Sequence, residues 1–124
     1  MSQLMLSLAA VLGLVAVALG AFAAHGLKHT LADNLLSAFN TGVEYQMYHA
    51  LALIGVALFI KAHPGPWLTA CGALFFVGTL LFSGSLYALA LTGARWLGPI
   101  TPLGGLCFML GWACLFIAAI KYLK

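Results

Sequence analysis

The amino-acid sequence predicts an all-α integral membrane protein, a four-helix bundle with a short interfacial amphipathic helix between the first and second spans. Two observations support this fold class. Of the 124 residues, 65% are hydrophobic and 6% are charged, with a mean hydropathy of +1.13, whereas soluble domains carry roughly a quarter charged residues. The few charged residues also divide the chain into four long apolar stretches.

Each apolar stretch is long enough to cross a bilayer as a helix. A helix rises about 1.5 Å per residue, so about 20 apolar residues cross a hydrocarbon core of about 30 Å. Asp, Glu, Lys and Arg are absent from residues 1–27, 45–60, 62–94 and 96–120. We therefore predict one transmembrane domain over residues 1–124, with spans near residues 4–24, 41–60, 67–91 and 102–122.

Proline and glycine mark the two short connections. Pro64 and Pro66 lack backbone donors and are expected to separate the second span from the third. Residues 93–99 contain two glycines and a proline and separate the third span from the fourth. Thr101 followed by Pro102 is typical of a helix start, with a capping hydroxyl and a proline in the first helical position.

The first connection, residues 25–40, is too long for a tight turn and too regular for a loop. Its apolar residues recur at helical spacing. One predicted face carries Leu31, Leu35, Ala38 and Phe39, and the other carries Asp33, Asn34, Ser37 and Asn40. We therefore predict an amphipathic helix over residues 31–40, lying either in the membrane interface or against its own bundle.

Charge gives a weak indication of orientation and excludes one class of partner. The net charge of +3 is too small and scattered for nucleic-acid binding, but it suits weak attraction to anionic lipids. We therefore expect membrane lipids as partners and no nucleic acid. An even number of spans places both termini on one side, with Lys61, Lys121 and Lys124, against Lys28 and Arg95 on the other. The positive-inside rule then favours cytoplasmic termini.

Polar side chains at membrane depth are costly, so they are the first place to look for function. Alternating spans bring most of them towards the membrane face that carries the first and third connections. We predict that they form a polar cup, either a structural network or a contact site for a ligand, lipid or proton path. Its candidate residues are His25, Glu44, Tyr45, Tyr48, His49, Ser83, Ser85, Tyr87, Arg95 and Thr101.

The start of the second span is the most polar part of this cup. Four of its side chains occupy one arc of about 140°, at about 100° per residue: Glu44, Tyr45, Tyr48 and His49. We expect this arc to face neighbouring helices. We also expect Glu44 to pair with Lys28 or Arg95 at the rim of the cup.

Motifs for catalysis and cofactor binding are weak. His25, His29, Glu44 and His49 offer nitrogen and oxygen ligands, but their spacing is not diagnostic of a metal site, and we expect neither metal nor cofactor. Cys71, Cys107 and Cys114 form no close pair, so we expect no disulfide. Glu44 and His49 have the chemistry of an acid and a base, but no nucleophile accompanies them, and we assign no catalytic residue.

Four sequence motifs are similar to those of a known family. They are GAFAAHGL at residues 20–27, TGVEYQMYHAL at 41–51, FSGSLY at 82–87 and GPITPLGG at 98–105. They resemble the domain-of-unknown-function 423 family of small bacterial inner-membrane proteins, which has mitochondrial relatives. The resemblance covers essentially the whole chain and implies a four-span helical membrane protein. It supplies no catalytic residues, and its motifs coincide with the polar cup.

Two classes of function remain open at this point. The sequence favours a structural or accessory membrane subunit, alone, in a homo-oligomer or in a larger membrane complex. The alternative is a binding or transport module for a lipid, a quinone-like molecule, a small solute or a proton, using Glu44, Tyr48 and His49. A roomy cavity beside Glu44 and His49 favours the second class, and close packing there favours the first. Transport would require an oligomer, because four spans leave little room for a pathway.

Overall fold

The computed structural model describes residues 1–124 as four long helices joined by short connections, and no strand is present. The predicted all-α, four-helix fold is therefore confirmed. The α-helices are α1 (Ser2–His25), α2 (Asp33–Ala62), α3 (Pro66–Thr92) and α4 (Ile100–Tyr122). Single 3₁₀ turns at Leu27–His29 and Arg95–Leu97 lie in the first and third connections. All four helices are long and apolar enough to cross a membrane.

Consecutive helices are packing neighbours. The helix α1 packs on α2, α2 on α3 and α3 on α4, whereas α1 and α4 share no extensive contact. The helices α2 and α3 therefore form the centre of the bundle, and α1 and α4 flank it. Lipid tails are as apolar as leucine, so close packing and interhelical hydrogen bonds stabilise such a bundle more than hydrophobic burial does.

The amphipathic segment differs from its prediction because it is not a separate helix. Residues 33–40 are helical, but they continue into the second span without a break, so α2 is 30 residues long. Asp33 lies in the first turn, where a carboxylate is favourable next to the helix dipole. Phe39 packs with Ala23, Leu27 and Ala90. Of the two predicted positions, in the membrane interface or against the bundle, this segment takes the second.

The helix ends follow from their residues. Pro66 occupies the first position of α3, where its missing N–H costs nothing. Gly93 ends α3 with a positive φ of 71°, a conformation that favours glycine, and donates its N–H to Leu89 O. The start of α4 is two residues earlier than predicted, because Pro99 and not Thr101 precedes the first helical residue.

The helices α3 and α4 approach closely where glycine faces an aromatic residue. A Cβ at Gly78 would lie 2.7 Å from Phe108 Cδ1, and one at Gly111 would lie 2.7 Å from Phe75 Cδ1. Gly104 packs directly on the backbone of Phe82, where an added Cβ would lie 2.7 Å from the Cα atom. Glycine thus sets the distance between α3 and α4, the usual role of small residues in membrane helices.

Candidate functional site: a hydrogen-bond network and the α2–α4 groove

Gln46 joins three helices through its amide group. It is 3% exposed. Its Nε2 donates to the carbonyl oxygen of Leu12 on α1 at 2.8 Å, and its Oε1 accepts from the Tyr87 hydroxyl of α3 at 2.7 Å. Both ends of the amide are therefore bonded, as a buried amide in a low-dielectric medium requires.

Hydroxyl groups of α3 extend this network to both neighbouring helices. Ser83 Oγ donates to the carbonyl oxygen of Gly42 on α2 at 2.6 Å. Ser85 Oγ lies 2.5 Å from Thr101 Oγ1 on α4, and it also donates to Phe82 O within its own helix. No buried side-chain nitrogen or oxygen in the protein lacks a hydrogen-bond partner. This part of the cup is a satisfied structural network.

His49 links α2 to α4. Its Nδ1 lies 2.8 Å from Tyr45 O, and its Nε2 lies 3.1 Å from Nε1 of Trp112. The indole nitrogen is only a donor and the carbonyl oxygen only an acceptor, so the imidazole carries its proton on Nδ1 and accepts at Nε2. The ring stacks on Phe108, with centroids 3.6 Å apart and planes within 6°. These contacts fix both the orientation and the tautomer of a neutral histidine.

The position of His49 corresponds to the middle of the membrane. The midpoint of α3 falls at Thr79 and that of α4 at Gly111. Phe108 lies within one turn of Gly111. It also packs on Gly78, which is next to Thr79. Since His49 stacks on Phe108, its imidazole lies level with the midpoints of α3 and α4, where we expect the centre of the hydrocarbon core. Ionisable residues at this depth are rare and are functional candidates by default.

An open groove of about 490 Å³ lies beside His49, between α2 and α4, and Phe82 of α3 forms its base. Its volume is within the range of about 300–1,000 Å³ that is typical of small-molecule sites. We call it the α2–α4 groove, and its lining residues are Tyr45, His49, Phe82, Pro102, Gly105, Phe108, Met109 and Trp112. Five of these eight residues carry aromatic rings, so the groove offers ring faces with few polar groups.

The structure brings together only some of the predicted cup residues. Three are buried, namely His49, Ser83 and Ser85, and two are half-buried, namely Tyr87 and Thr101. All five take part in interhelical hydrogen bonds. The other five are exposed, namely His25, Glu44, Tyr45, Tyr48 and Arg95. Of these, Tyr45 alone lines the groove.

The expectation that the arc on the second span faces neighbouring helices is wrong for Glu44 and Tyr48. The buried face of α2 is centred on Gln46, His49 and Leu53, which places Glu44 and Tyr48 on the opposite side of the helix. Glu44 makes no hydrogen bond within the chain, and the expected ion pair with Lys28 or Arg95 is absent. All three of these charged residues point away from the bundle.

Two important residues were not among the predicted site residues. Gln46 is one of the polar residues of the second span, and a glutamine in an apolar stretch is a recognisable signal, but its central role requires knowledge of which face is buried. Trp112 lies in an uninterrupted apolar stretch and gives no signal, because an indole N–H in a membrane helix is as common at a lipid surface. No three His, Cys, Asp or Glu side chains are close enough together to hold a metal ion.

The comparison with protein families identifies the chain. The family described as "Protein of unknown function (DUF423)" matches residues 19–105. The chain belongs to this family. The matched segment contains Gln46, His49 and most of the lining of the groove.

Bacterial membrane proteins named UPF0382 are similar to this chain over nearly its whole length. The UPF0382 membrane protein YwdK of Bacillus subtilis is 49% identical over 94% of this chain and 95% of its own. The UPF0382 inner membrane protein YgdD of Escherichia coli is 42% identical over 97% of this chain and 92% of its own. No solved structure matches the chain. The protein is thus a multi-pass membrane protein of an uncharacterised family.

Proposed function

We propose that this protein binds a neutral membrane molecule with a flat, quinone-like ring in the α2–α4 groove. The observation that carries this proposal is the open groove of about 490 Å³ directly beside a membrane-buried histidine. The sequence favoured a structural or accessory subunit, and a roomy cavity beside both Glu44 and His49 was the condition that favours binding. The groove meets this condition for His49 alone, because Glu44 lies on the opposite side of α2, so the proposed site uses His49 and Tyr45 in place of Glu44 and Tyr48.

The lining of the groove matches a flat ring. Among the lining residues, Tyr45 is 38% exposed and Trp112 is 46% exposed, so part of each ring is free to contact a ligand. Aromatic faces favour offset stacking with another planar ring. The Tyr45 hydroxyl takes part in none of the hydrogen bonds described above, so it is free to donate to a ring carbonyl. A quinone-like ring therefore complements both the shape and the polarity of the groove.

The depth of the groove favours a neutral ligand. Its residues extend from Pro102, near the start of α4, to Trp112, ten residues further, which is about 15 Å along the helix. The deep end is at mid-membrane, where a charged headgroup is costly. An uncharged ring on an apolar tail enters this region without that cost.

The test is photolabelling with a short-chain azido-quinone in lipid nanodiscs. We expect saturable labelling concentrated on Tyr45, Met109 and Trp112. Gly105→Leu should reduce it at least tenfold, because a Cβ at Gly105 has only Phe82 Cδ2 nearby, at 3.9 Å, and a longer side chain fills the groove without a clash.

The matched control is Gly13→Leu on α1, where an added Cβ meets nothing within 4 Å. This variant should label like the unmodified protein. Labelling that follows lipid exposure along all four helices, or that is unchanged in Gly105→Leu, contradicts the proposed ligand.

A structural or accessory subunit is the second candidate function. It is supported by the network around Gln46, in which every buried polar side-chain atom is bonded and none is left free for a ligand. The same photolabelling experiment separates the two candidates. Absence of saturable labelling, together with loss of a larger native complex when the gene is deleted, supports the subunit.

We also infer that the protein lies in the cytoplasmic (inner) membrane with both termini in the cytoplasm. Two relatives from separate phyla carry membrane-protein names, and that from Escherichia coli is called an inner membrane protein. Lys61, Lys121 and Lys124 lie at the end of the bundle that holds the termini. Fusions at the C-terminus test the orientation: fluorescence of a green fluorescent protein fusion supports it, and activity of an alkaline phosphatase fusion contradicts it.

A further inference from the structure

The outward side of α2 carries polar groups at a depth where lipid offers them no partner. We call this side the α2 outer face, and its residues, all exposed, are Glu44, Tyr48, Leu51, Gly55 and Leu58. Glu44 is five residues from His49, which is about 7.5 Å along the helix. Half of the hydrocarbon core is about 15 Å thick, so Glu44 lies well inside it.

An exposed carboxyl group at this depth is costly for a single chain. Acidic residues within the hydrocarbon core are costly and rare, and they usually face another protein segment or a water-filled cavity. Within this chain Glu44 has neither a base nor a hydrogen-bond donor as a partner. Tyr48 is 53% exposed, and its hydroxyl likewise makes no hydrogen bond within the chain. Both groups therefore need a partner from outside the chain.

The spacing of the α2 outer face is that of a helix–helix seam. Its residues recur at intervals of four, three, four and three along α2. This average of 3.5 residues keeps the seam facing one partner helix along its whole length. Gly55 lies on the seam, and a Cβ there would meet nothing within 4 Å, so the glycine leaves room for another backbone to approach.

We propose that two copies of this chain pair through the α2 outer face, the Tyr48 hydroxyl of each copy donating to the Glu44 carboxyl of the other. A face with one donor and one acceptor is self-complementary about a two-fold axis, because each copy supplies what the other lacks. Side chains of a helix lean towards its N-terminus, and because the Tyr48 side chain is longer than that of Glu44, its hydroxyl extends towards the level of the Glu44 carboxyl on a parallel partner helix. The axis lies along the membrane normal, so both copies keep one orientation.

Disulfide cross-linking in native membranes tests the pairing. Leu51→Cys places a thiol on the seam, and Leu110→Cys places one at similar depth on the exposed side of α4. Both are carried in a chain whose three cysteines are alanine. We expect mild oxidation to give a dimer with Leu51→Cys and little with Leu110→Cys. Equal cross-linking at both positions, or a cross-link from Leu51→Cys to a different protein, overturns the proposal.

A second measurement tests the hydrogen bonds themselves. Tyr48→Phe removes the donor and keeps the ring, and by symmetry two bonds are lost per dimer. We expect the dimer to dissociate about tenfold more readily in single-molecule subunit counting in liposomes. The matched control is Tyr122→Phe, which removes a tyrosine hydroxyl at the end of α4, away from both the seam and the groove. Equal dimerisation of both variants and the unmodified chain contradicts the proposed bonds. The groove and the seam lie on different faces of α2, so each proposal fails independently of the other.

Discussion

Gln46 on α2 accepts a hydrogen bond from the Tyr87 hydroxyl on α3 at 2.7 Å, and the same side chain donates to α1 at 2.8 Å. One amide group thus holds three helices in register. The Tyr87 ring is positioned in turn by Phe39, whose ring centroid lies 4.9 Å away. Packing and hydrogen bonding therefore support each other near the first connection.

Loss of this bond should destabilise the bundle measurably. Tyr87→Phe leaves Gln46 Oε1 buried without a donor, so we expect a loss of about 1 kcal/mol in the free energy of unfolding. Gln46→Leu should cost about as much or more, and adding Tyr87→Phe to it should cost little further, because the bond is already gone. Unfolding in mixed micelles measures all three variants. Additive effects of the two substitutions would contradict the bond.

Substitution of alanine for two adjacent glycines should change the free energy of unfolding by different amounts. Gly104→Ala forces α3 and α4 apart, since the new Cβ would lie 2.7 Å from Phe82 Cα, and overpacking of this kind costs about 1–3 kcal/mol. Gly105→Ala makes an ordinary contact at 3.9 Å and should change the free energy of unfolding by less than about 0.5 kcal/mol. Thermal unfolding in one detergent compares them directly. Equal destabilisation would show that the close approach is misassigned.

His49 should be a single neutral tautomer with its proton on Nδ1. Nitrogen-15 NMR of histidine-labelled protein in bilayers reads the protonated nitrogen directly. Trp112→Phe removes the donor to Nε2, so we expect the Nε2 resonance to shift while the proton stays on Nδ1, which still donates to Tyr45 O. The exposed His25 and His29 serve as internal controls and should show mixed tautomers. A proton on Nε2 of His49 is incompatible with the hydrogen bond from Trp112.

Glu44→Gln should leave the stability of the single chain unchanged. The side chain is exposed and unbonded within the chain, so the change removes no internal contact. At high dilution in detergent, where the chain is monomeric, the free energy of unfolding should stay within about 0.5 kcal/mol of the original value. Gln46→Leu is the comparison, because it alters a buried polar group only two residues away, on the opposite face of α2. A drop above about 1 kcal/mol in Glu44→Gln would place this residue in the structural network.

The number and place of the spans could be predicted from the sequence, because charge and proline distribution decide which segments tolerate hydrocarbon. The break expected before Thr41 does not exist. Between Asp33 and Ala62 there is no proline, and the residues least favourable to a helix are Gly42 and Gly55. A single glycine weakens a helix by only about 1 kcal/mol, so neither of them ends α2.

The candidate site could be predicted only in part. The polar residues were identified by type, but which of them turn inward depends on the rotation of α2 against α1 and α3. That rotation is set by packing around Phe39, Gln46 and Leu53, and an apolar helix in lipid carries no hydrophobic periodicity to reveal it. Trp112 and Gly105 acquire their roles only from the register between α2 and α4.

The unbroken length of α2 has a mechanical consequence. At about 1.5 Å per residue its 30 residues extend about 45 Å, which exceeds the hydrocarbon thickness by about 15 Å. The first two turns therefore stand among the lipid headgroups and are continuous with the wall of the groove. Because the helix has no break between Asp33 and His49, we expect a displacement of its first turns to move Tyr45 and His49, and with them one wall of the groove.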